Sequence, residues 1–304
     1  MLFKALVTAS MSIIAAFGLA GTSYAGMPPD CRQASADCVV VGEWQVSVGL
    51  GAGIRTNPVI DSDNIPLVLL PEISYYGERF FLDNLDFGYT LHQSDTQMLN
   101  MLLTPGYDQL FFNRWDPQNF FVDSTLSTAT LSSDRGSFAP EQTVGEKWVA
   151  DDTVDLDKLH KRRMAAMAGF DYSAHFGQME WYAQALQDVT DVHNGHELRI
   201  GVGKVWRQGD NDFALAGGVI WQSADLLHYY YGVGAYEVTR PSAAYQAPSG
   251  TSGFIRFDWS RPISERWSWR GTVQYKKLSS SIAESPLVDR NNVITAFIGG
   301  VYHF

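Results

Sequence analysis

Cysteine is scarce in this sequence, whose 304 residues include only Cys31 and Cys38. Two cysteines lack the further ligands of a structural zinc site. In an exported protein, the default for such a pair is one disulfide that closes a small loop, ahead of two free thiols or an incomplete metal pair. Both residues precede the periodic part of the chain, so we do not expect the fold to depend on them.

Charge is also in short supply, positive charge above all. Only 18% of the residues are charged, and 33 acidic residues against 22 basic ones give a formal net charge of −11. Because no basic excess is present, the chain lacks the electrostatic footprint of a nucleic-acid-binding protein. Apolar residues are plentiful at 45%, with 13% aromatic. That much apolar surface excludes a disordered chain.

Long apolar runs are absent beyond the first 25 residues. There, Lys4 precedes an apolar or small stretch, and Ser23-Tyr24-Ala25 forms a small-residue cleavage site before Gly26. We therefore predict that residues 1–25 are a secretory signal peptide. No later run approaches the roughly 18 to 20 consecutive apolar residues that a membrane helix needs. Helical membrane spanning is thus excluded for the mature chain.

The mature chain instead shows alternation with a period of two. In residues 44–54, Trp44 and every second residue after it are apolar, while the residues between them are small or polar. Successive side chains of a strand point to opposite faces, so this segment has one apolar face. Similar alternation occurs at 164–176, 198–206, 255–260 and 267–275. Both a transmembrane β-barrel and a soluble β-sandwich could produce it.

Three features favour the barrel. The segments are close to the 9 to 11 residues that a tilted strand needs to cross a membrane. Their apolar rows tend to end in Trp, Tyr or Phe, as expected for aromatic girdles at the lipid interfaces. The chain also ends with Tyr302 and Phe304 on the apolar face of its last strand. This end resembles the C-terminal insertion signal of outer-membrane proteins.

We predict ten strands and a further hairpin. The ten lie at 42–54, 65–76, 95–104, 164–176, 178–188, 196–207, 212–222, 250–260, 265–277 and 291–304. Bacterial barrels have an even number of strands. Residues 79–92 therefore fit best as a short hairpin that turns at Asn84, which gives twelve strands, with ten possible.

With Phe304 at the periplasmic end, alternation assigns the connections to the two sides. The short turns Gly177-Gln178, Arg207 to Asp212 and Arg261 to Glu265 become periplasmic, as does an N-terminal arm at 26–41. The long segments 55–64, 105–163, 223–249 and 278–290 become extracellular, which is the usual asymmetry of these barrels. Residues 105–163 are too long for a plain connection, so we expect a functional loop or a plug.

Several charges fall on the rows predicted to face the barrel interior. They are Asp171, Glu180, Arg199, Arg256, Asp258 and Arg270. They could line a solute path, although charges inside a narrow barrel more often pair across it and fill the space. One cation, Lys204, falls on the lipid row instead. It lies two residues before Trp206, so its stem can reach the headgroup level.

Motifs for catalysis or cofactor binding are weak. Gly49-Leu50-Gly51-Ala52-Gly53 lacks the offset and the following helix of a dinucleotide fingerprint. His193, His196 and Glu197 do not match a zinc motif, and we expect them to lie in a solvated surface loop. No G-x-S-x-G elbow is present. We expect no enzyme activity, no cofactor and no metal.

In combination, ordered segments of the chain resemble the MipA/OmpV family, the MltA-interacting proteins of the outer membrane. The segments are Val48 to Gly51, Pro71 to Phe81, Leu186 to Thr190 with His193 and Gly195, Tyr230 to Val233, Tyr245 to Ala247, Glu284 to Val288 and Gly299 to Phe304. The resemblance implies an outer-membrane protein. Some family members act as scaffolds between a murein transglycosylase and a murein synthase, and others resemble porins or adhesive surface proteins. It implies no catalytic residues.

We therefore expect an antiparallel transmembrane β-barrel at 42–304, in the bacterial outer membrane and in contact with its lipid. By resemblance, it would be a non-enzymatic envelope scaffold that links a murein hydrolase with a murein synthase. One alternative is a porin-like channel for small solutes. Another is a surface adhesin or receptor that uses the long loop 105–163.

Overall fold

The computed structural model describes residues 41–112, 159–238 and 243–304. The predicted signal peptide, Cys31 and Cys38, all but the last residue of the predicted arm, and residues 113–158 of the predicted long loop lie outside the described residues. No helix in the described part is long and apolar enough to cross a membrane.

Strands make up most of the described chain. They are β1 (Trp44–Arg55), β2 (Ile65–Pro66), β3 (Leu69–Tyr76), β4 (Phe80–Asp83), β5 (Asp86–Gln93), β6 (Gln97–Pro105), β7 (Ala166–Phe176), β8 (Met179–Asp188), β9 (His196–Gln208), β10 (Asn211–Gln222), β11 (Gly250–Pro262), β12 (Trp267–Lys277) and β13 (Asn292–His303). A 3₁₀ helix at Tyr107–Phe112 and two short α-helices, α1 (Ala224–Tyr231) and α2 (Ser280–Ala283), lie in the connections.

The strands form one closed antiparallel sheet. From β3 onward, each strand pairs with the next one in sequence, and β13 pairs with β1 to close the ring. Strands β2 and β3 pair with the same edge of β1, with Pro66 opposite Ile54 and Leu69 opposite Leu50. Residues 51–53 of β1 therefore face only residues 67 and 68, which form a β-bulge. Strands β2 and β3 together make one strand of the barrel. The structure thus confirms the predicted twelve-stranded barrel.

The hairpin predicted within residues 79–92 is also present. Strand β4 pairs with β5 through Asp83 and Asp86, and the turn between them contains Asn84 with a positive φ of 53°. Asparagine tolerates this left-handed conformation better than most residues. Its side-chain Oδ1 also accepts a hydrogen bond of 3.1 Å from the Ile73 backbone N–H. The Asn84 amide thereby ties the hairpin to β3.

The two faces of the barrel differ as the alternation predicts. In β8, Met179 and Trp181 are exposed, whereas Glu180 and Gln184 are only 6% and 5% exposed. The same contrast appears in β7, where Phe170 is exposed and Asp171 is buried. In a closed single-layer sheet, the buried row points inward. The apolar row therefore faces outward, as it does in transmembrane barrels.

The two ends of the barrel also differ. Very short turns occur at one end, where Gly177 and Gly209 adopt positive φ angles that glycine accepts readily. Phe304 lies at this same end, where its backbone N–H donates to Val46. The long connections meet at the other end. Because bacterial barrels have short periplasmic turns and long extracellular loops, the Phe304 end is periplasmic.

Candidate functional site

The barrel interior contains a polar network on the wall formed by β6 to β10. The Asp171 carboxylate accepts hydrogen bonds from Asn100 Nδ2 at 3.0 Å and from Gln184 Nε2 at 3.1 Å. The Arg199 guanidinium donates to Gln184 Oε1 at 3.4 Å and forms an ion pair with Glu197. All of these side chains are buried. Such satisfied networks make buried polar groups tolerable.

A second network lies on the other side of the ring. The Arg256 guanidinium pairs with Asp258 on the same strand at 2.8 Å, and Thr272 Oγ1 donates to the same carboxylate. Arg270 of β12 forms an ion pair with Glu72 of β3. Three strand steps separate these two strands around the ring. This contact therefore links separate parts of the wall.

Glu180 and the C-terminal residues lie nearer the periplasmic end. Glu180 is buried and lies 3.9 Å from His175 Nε2. Tyr302 packs edge-on against Trp267, with ring centroids 5.1 Å apart, and against Phe304 at 4.9 Å. Phe304 itself is 79% exposed. These rings form part of an aromatic patch on the outward surface, as membrane-interface girdles do.

A compact apolar core covers the extracellular mouth. We call its polypeptide the cap, which comprises residues 56–64, 106–112, 159–165, 189–195, 223–238, 243–249 and 278–291. Buried cap residues from these connections form one cluster, with Leu227, Tyr231, Ile282 and Leu287 all 0% exposed. The same cluster includes Met167 of β7 and Val293 of β13. Because β7 and β13 are six steps apart in the twelve-strand ring, the cap core spans the mouth.

Buried hydrogen bonds hold the cap to the wall. Asp108, in the 3₁₀ helix, accepts from Tyr231 Oη at 2.8 Å and from Gln222 Nε2 at 2.7 Å. The Gln222 amide also donates to Glu197 Oε2 at 2.8 Å. The cap and the interior network are therefore continuous. Burial, together with the Asp108 charge, raises the pKa of the Tyr231 hydroxyl well above its ordinary value, so it remains a donor.

Helix α1 is fixed within the cap from both sides. Ser285 Oγ donates to the Tyr231 backbone carbonyl at 2.6 Å. The Arg162 guanidinium donates to the carbonyls of Tyr230 and Gly232, both at 3.2 Å. Ser223 begins the helix, and its hydroxyl accepts from the Leu226 N–H. These contacts satisfy carbonyl groups at the end of α1 that would otherwise be unpaired.

The loop between β8 and β9 folds into the cap. The Asp188 carboxylate accepts backbone hydrogen bonds from Thr190, Val192, His193 and Asn194 at 2.7 to 3.0 Å. His193 is consequently drawn inward and lies 5.7 Å from the Tyr230 ring centroid. Burial lowers the pKa of His193 below its ordinary value, although the carboxylates around it act in the opposite direction.

The prediction that His193, His196 and Glu197 lie together in a solvated surface loop is wrong, because His196 and Glu197 belong to β9. His193 and Glu197 are each only 7% exposed. His193 is buried because Asp188 folds its loop against α1, and Glu197 lies on the inward row of β9. Sequence reasoning also missed Glu72 as a partner of Arg270, and it missed Asp108 and Tyr231. The family segments Pro71 to Phe81 and Tyr230 to Val233 contain Glu72 and Tyr231 but do not indicate their partners, and Asp108 lies in none of these segments.

Another buried carboxylate stabilises the end of the α1 connection. Glu237 accepts hydrogen bonds from the His160 backbone and from the Gly234 backbone at 2.9 and 2.8 Å, and its Oε1 lies 2.8 Å from His160 Nδ1. Burial acts to raise the pKa of Glu237, but these hydrogen bonds outweigh it and the pKa is lowered. Glu237 therefore stays ionised in the cap.

Comparison with known proteins identifies the family. The family model described as MltA-interacting protein MipA matches residues 48–304. The chain is 27% identical over 258 residues to the putative outer membrane protein YiaT of Escherichia coli (strain K12), covering 84% of this chain and 89% of that protein. It is 26% identical over 268 residues to the MltA-interacting protein of the same strain, covering 88% and 93%.

Among solved structures, the NanC porin matches with a TM-score of 0.39 at 8% sequence identity, covering 86% of this chain and 99% of that one. The relative YiaT is named as an outer membrane protein, and the chain forms a barrel of the outer-membrane type. The protein is therefore a bacterial outer-membrane barrel. The family match extends over most of the sequence and confirms the resemblance found there: the chain belongs to the MltA-interacting protein MipA family.

Proposed function

We propose that this protein is a closed, non-enzymatic barrel that acts as an interaction scaffold in the outer membrane. The observation that carries the proposal is the cap core, which joins Met167 with Val293 across the mouth of the barrel. A channel needs a continuous aqueous path, and its open mouth would be lined by polar side chains. A packed apolar core at this place instead favours a barrel that serves as a rigid membrane anchor.

The periplasmic side is the binding surface in this proposal. The turns there are short and lie beside a firmly paired wall, so they can present a fixed surface without a large ordering cost on binding. A related chain is named MltA-interacting protein, and it shares 26% identity with this one over nearly its whole length. We infer that the partners are a murein transglycosylase and a murein synthase. The lipid-facing row anchors the assembly in the membrane.

Two measurements test the two halves of this proposal. The first is planar-bilayer conductance of the purified full-length protein, for which we expect no steady current. The second is crosslinking in intact envelopes from a photoreactive residue placed at Asp210 in a periplasmic turn. We expect adducts with the two murein enzymes.

The matched control for crosslinking is the same photoreactive residue at Tyr236, which is 70% exposed in the extracellular cap. It should capture neither murein enzyme. Stepwise, persistent conductance of the wild-type protein would contradict the closed barrel. Equal capture from both positions, or capture from neither, would contradict the periplasmic scaffold.

A further inference from the structure

A cavity lined by both polar and apolar side chains lies beneath the cap, inside the extracellular half of the barrel. It is open on one side. It is lined by Arg55, Tyr107, Asp108, Leu110, Phe111, Glu197, Arg199, Ile220, Gln274, Lys276, Val293 and Thr295. Small-molecule sites are typically concave, largely apolar, and equipped with a few converging polar groups. This cavity has that composition, and the scaffold role does not require it.

One wall of the cavity is a row of polar side chains across three neighbouring strands. Arg55 of β1 lies opposite Thr295 of β13, and Thr295 lies opposite Gln274 of β12. The next inward residue along β12 is Lys276. Side chains that are directly opposite in a ladder lie about 5 Å apart at their Cβ atoms. A ligand at this wall would therefore meet several donors at once.

The facing wall is already satisfied internally. Glu197 pairs with Arg199 and also accepts from Gln222 at 2.8 Å. Asp108 accepts from Gln222 and from Tyr231. The Arg199 guanidinium lies 5.7 Å from the Tyr107 ring centroid. Three cations thus line the cavity against two carboxylates, and both carboxylates have hydrogen-bonded donors.

Three polar side chains of the first wall are not used in this way. Among the described residues, the side chains of Lys276, Gln274 and Thr295 have no hydrogen-bond or ion-pair partner. Thr295 is nevertheless only 5% exposed. A positive charge inside a barrel, facing a cavity and lacking an acidic partner, favours binding of an anion.

We propose that this cavity binds a small carboxylate with a short apolar tail. Lys276, Gln274 and Thr295 hold the carboxylate oxygens, and Arg55 adds positive charge at the end of the row. The tail lies against Leu110, Phe111, Ile220 and Val293, which supply the apolar part of the lining. An inorganic ion would make no contact with these apolar side chains. The polar and apolar parts of the lining together therefore indicate an anion with an apolar tail.

Isothermal titration calorimetry of the full-length protein in detergent tests the proposal, with hexanoate as the probe. Hexanamide is the matched neutral probe, since it has the same tail and no charge. We expect saturable binding of hexanoate and at least ten-fold weaker binding of hexanamide. Lys276→Met keeps the length of the side chain but removes its charge, so it should weaken hexanoate binding at least ten-fold.

Lys277→Met is the matched control variant. Lys277 is the next residue of β12, is exposed, and lies on the outward row. The Lys277→Met variant should bind hexanoate with the same affinity as the wild-type protein. If Lys276→Met does not fold, as judged by heat-modifiable mobility on a gel, Thr295→Val is the alternative and should weaken binding several-fold. Absence of saturable hexanoate binding, equal affinity for hexanamide, or equal losses in the Lys276 and Lys277 variants would each overturn the proposal.

Discussion

The barrel wall and the cap obey opposite rules of side-chain burial. In the wall, Phe170 and Ile200 are exposed while Asp171 and Arg199 are buried. In the cap, apolar side chains such as Leu227 are fully buried. The wall is surrounded by lipid, which is as apolar as these side chains, so no hydrophobic gain comes from turning them inward. The cap is surrounded by water and has the apolar core of a small soluble domain.

This difference separates the sources of stability in the two regions. The wall is held by its ladder of backbone hydrogen bonds, which is closed and leaves no edge. The α-helices in the described part of the cap have only eight and four residues. Such helices are not stable in isolation. The cap therefore depends on side-chain packing, and a packing defect should open it without opening the ring.

The largest effect is expected from a cavity in the cap core. Leu227→Ala should lower the local stability of the cap by about 2–5 kcal/mol, because it removes a completely buried side chain. Hydrogen exchange measured by mass spectrometry should then show faster exchange in α1 and in 278–291, with the strands unchanged. Tyr236→Ala changes an exposed side chain and should leave exchange almost as in the wild type. Faster exchange throughout β7 to β10 would show that the cap does not open independently of the wall.

A charge placed on the lipid row tests the wall in the same way. Val202 is on the outward row at the centre of β9, and Lys204 is on the same row nearer the Trp206 end. Val202→Lys should cost about 2–4 kcal/mol because it puts a cation near the bilayer midplane. Lys204→Leu should change stability far less, since the native lysine can reach the interface. Folding titrations in lipid vesicles measure both, and similar effects of the two substitutions would argue against a position of Val202 at the midplane and Lys204 at the interface.

A smaller effect is expected where the two regions join. Asp108→Ala would leave the Gln222 amide and the Tyr231 hydroxyl short of an acceptor, at a cost of about 1–3 kcal/mol. Asp108→Asn retains one acceptor oxygen and should recover part of this loss. Cap opening can be followed by limited proteolysis within 223–238. Equal protease resistance of the wild type and the alanine variant would show that this contact does not hold the cap in place.

The wall could be predicted from the sequence and the cap could not, for a physical reason. The alternation of apolar and polar residues within one strand shows which of its faces contacts lipid. The pattern in 164–176 can therefore be interpreted without any other segment. Even the Asn84 hairpin followed from the need for an even strand number. The cap core, in contrast, joins residues such as Val59, Tyr231 and Leu287 from separate connections, and no local period marks them. The Arg270–Glu72 pair was missed for the same reason, because it depends on ring closure.

The weakest expected effect concerns pH and again separates cap from wall. His193 Nδ1 accepts a hydrogen bond of 2.9 Å from the Gly195 N–H, which requires that nitrogen to be unprotonated. The charged groups that face the ring are Asp188, Asp108, Glu197 and Asp225, but burial dominates and the pKa is lowered. The unfolded loop takes up its proton near the ordinary value of about 6.5.

When the pKa of a group is lower in the folded state than in the unfolded state, its contribution to stability is fully present above the unfolded-state pKa. This contribution is lost as the pH falls from the unfolded-state pKa toward the folded-state pKa. Hydrogen-exchange protection factors in 189–195 and α1 should therefore be constant above about pH 6.5 and fall toward pH 5, while those of β7 and β8 stay level. His193→Gln offers an acceptor to Gly195 but does not titrate, so its protection should not change over this range. Loss of protection in that variant as large as in the wild type would assign the pH dependence to another group in the cap.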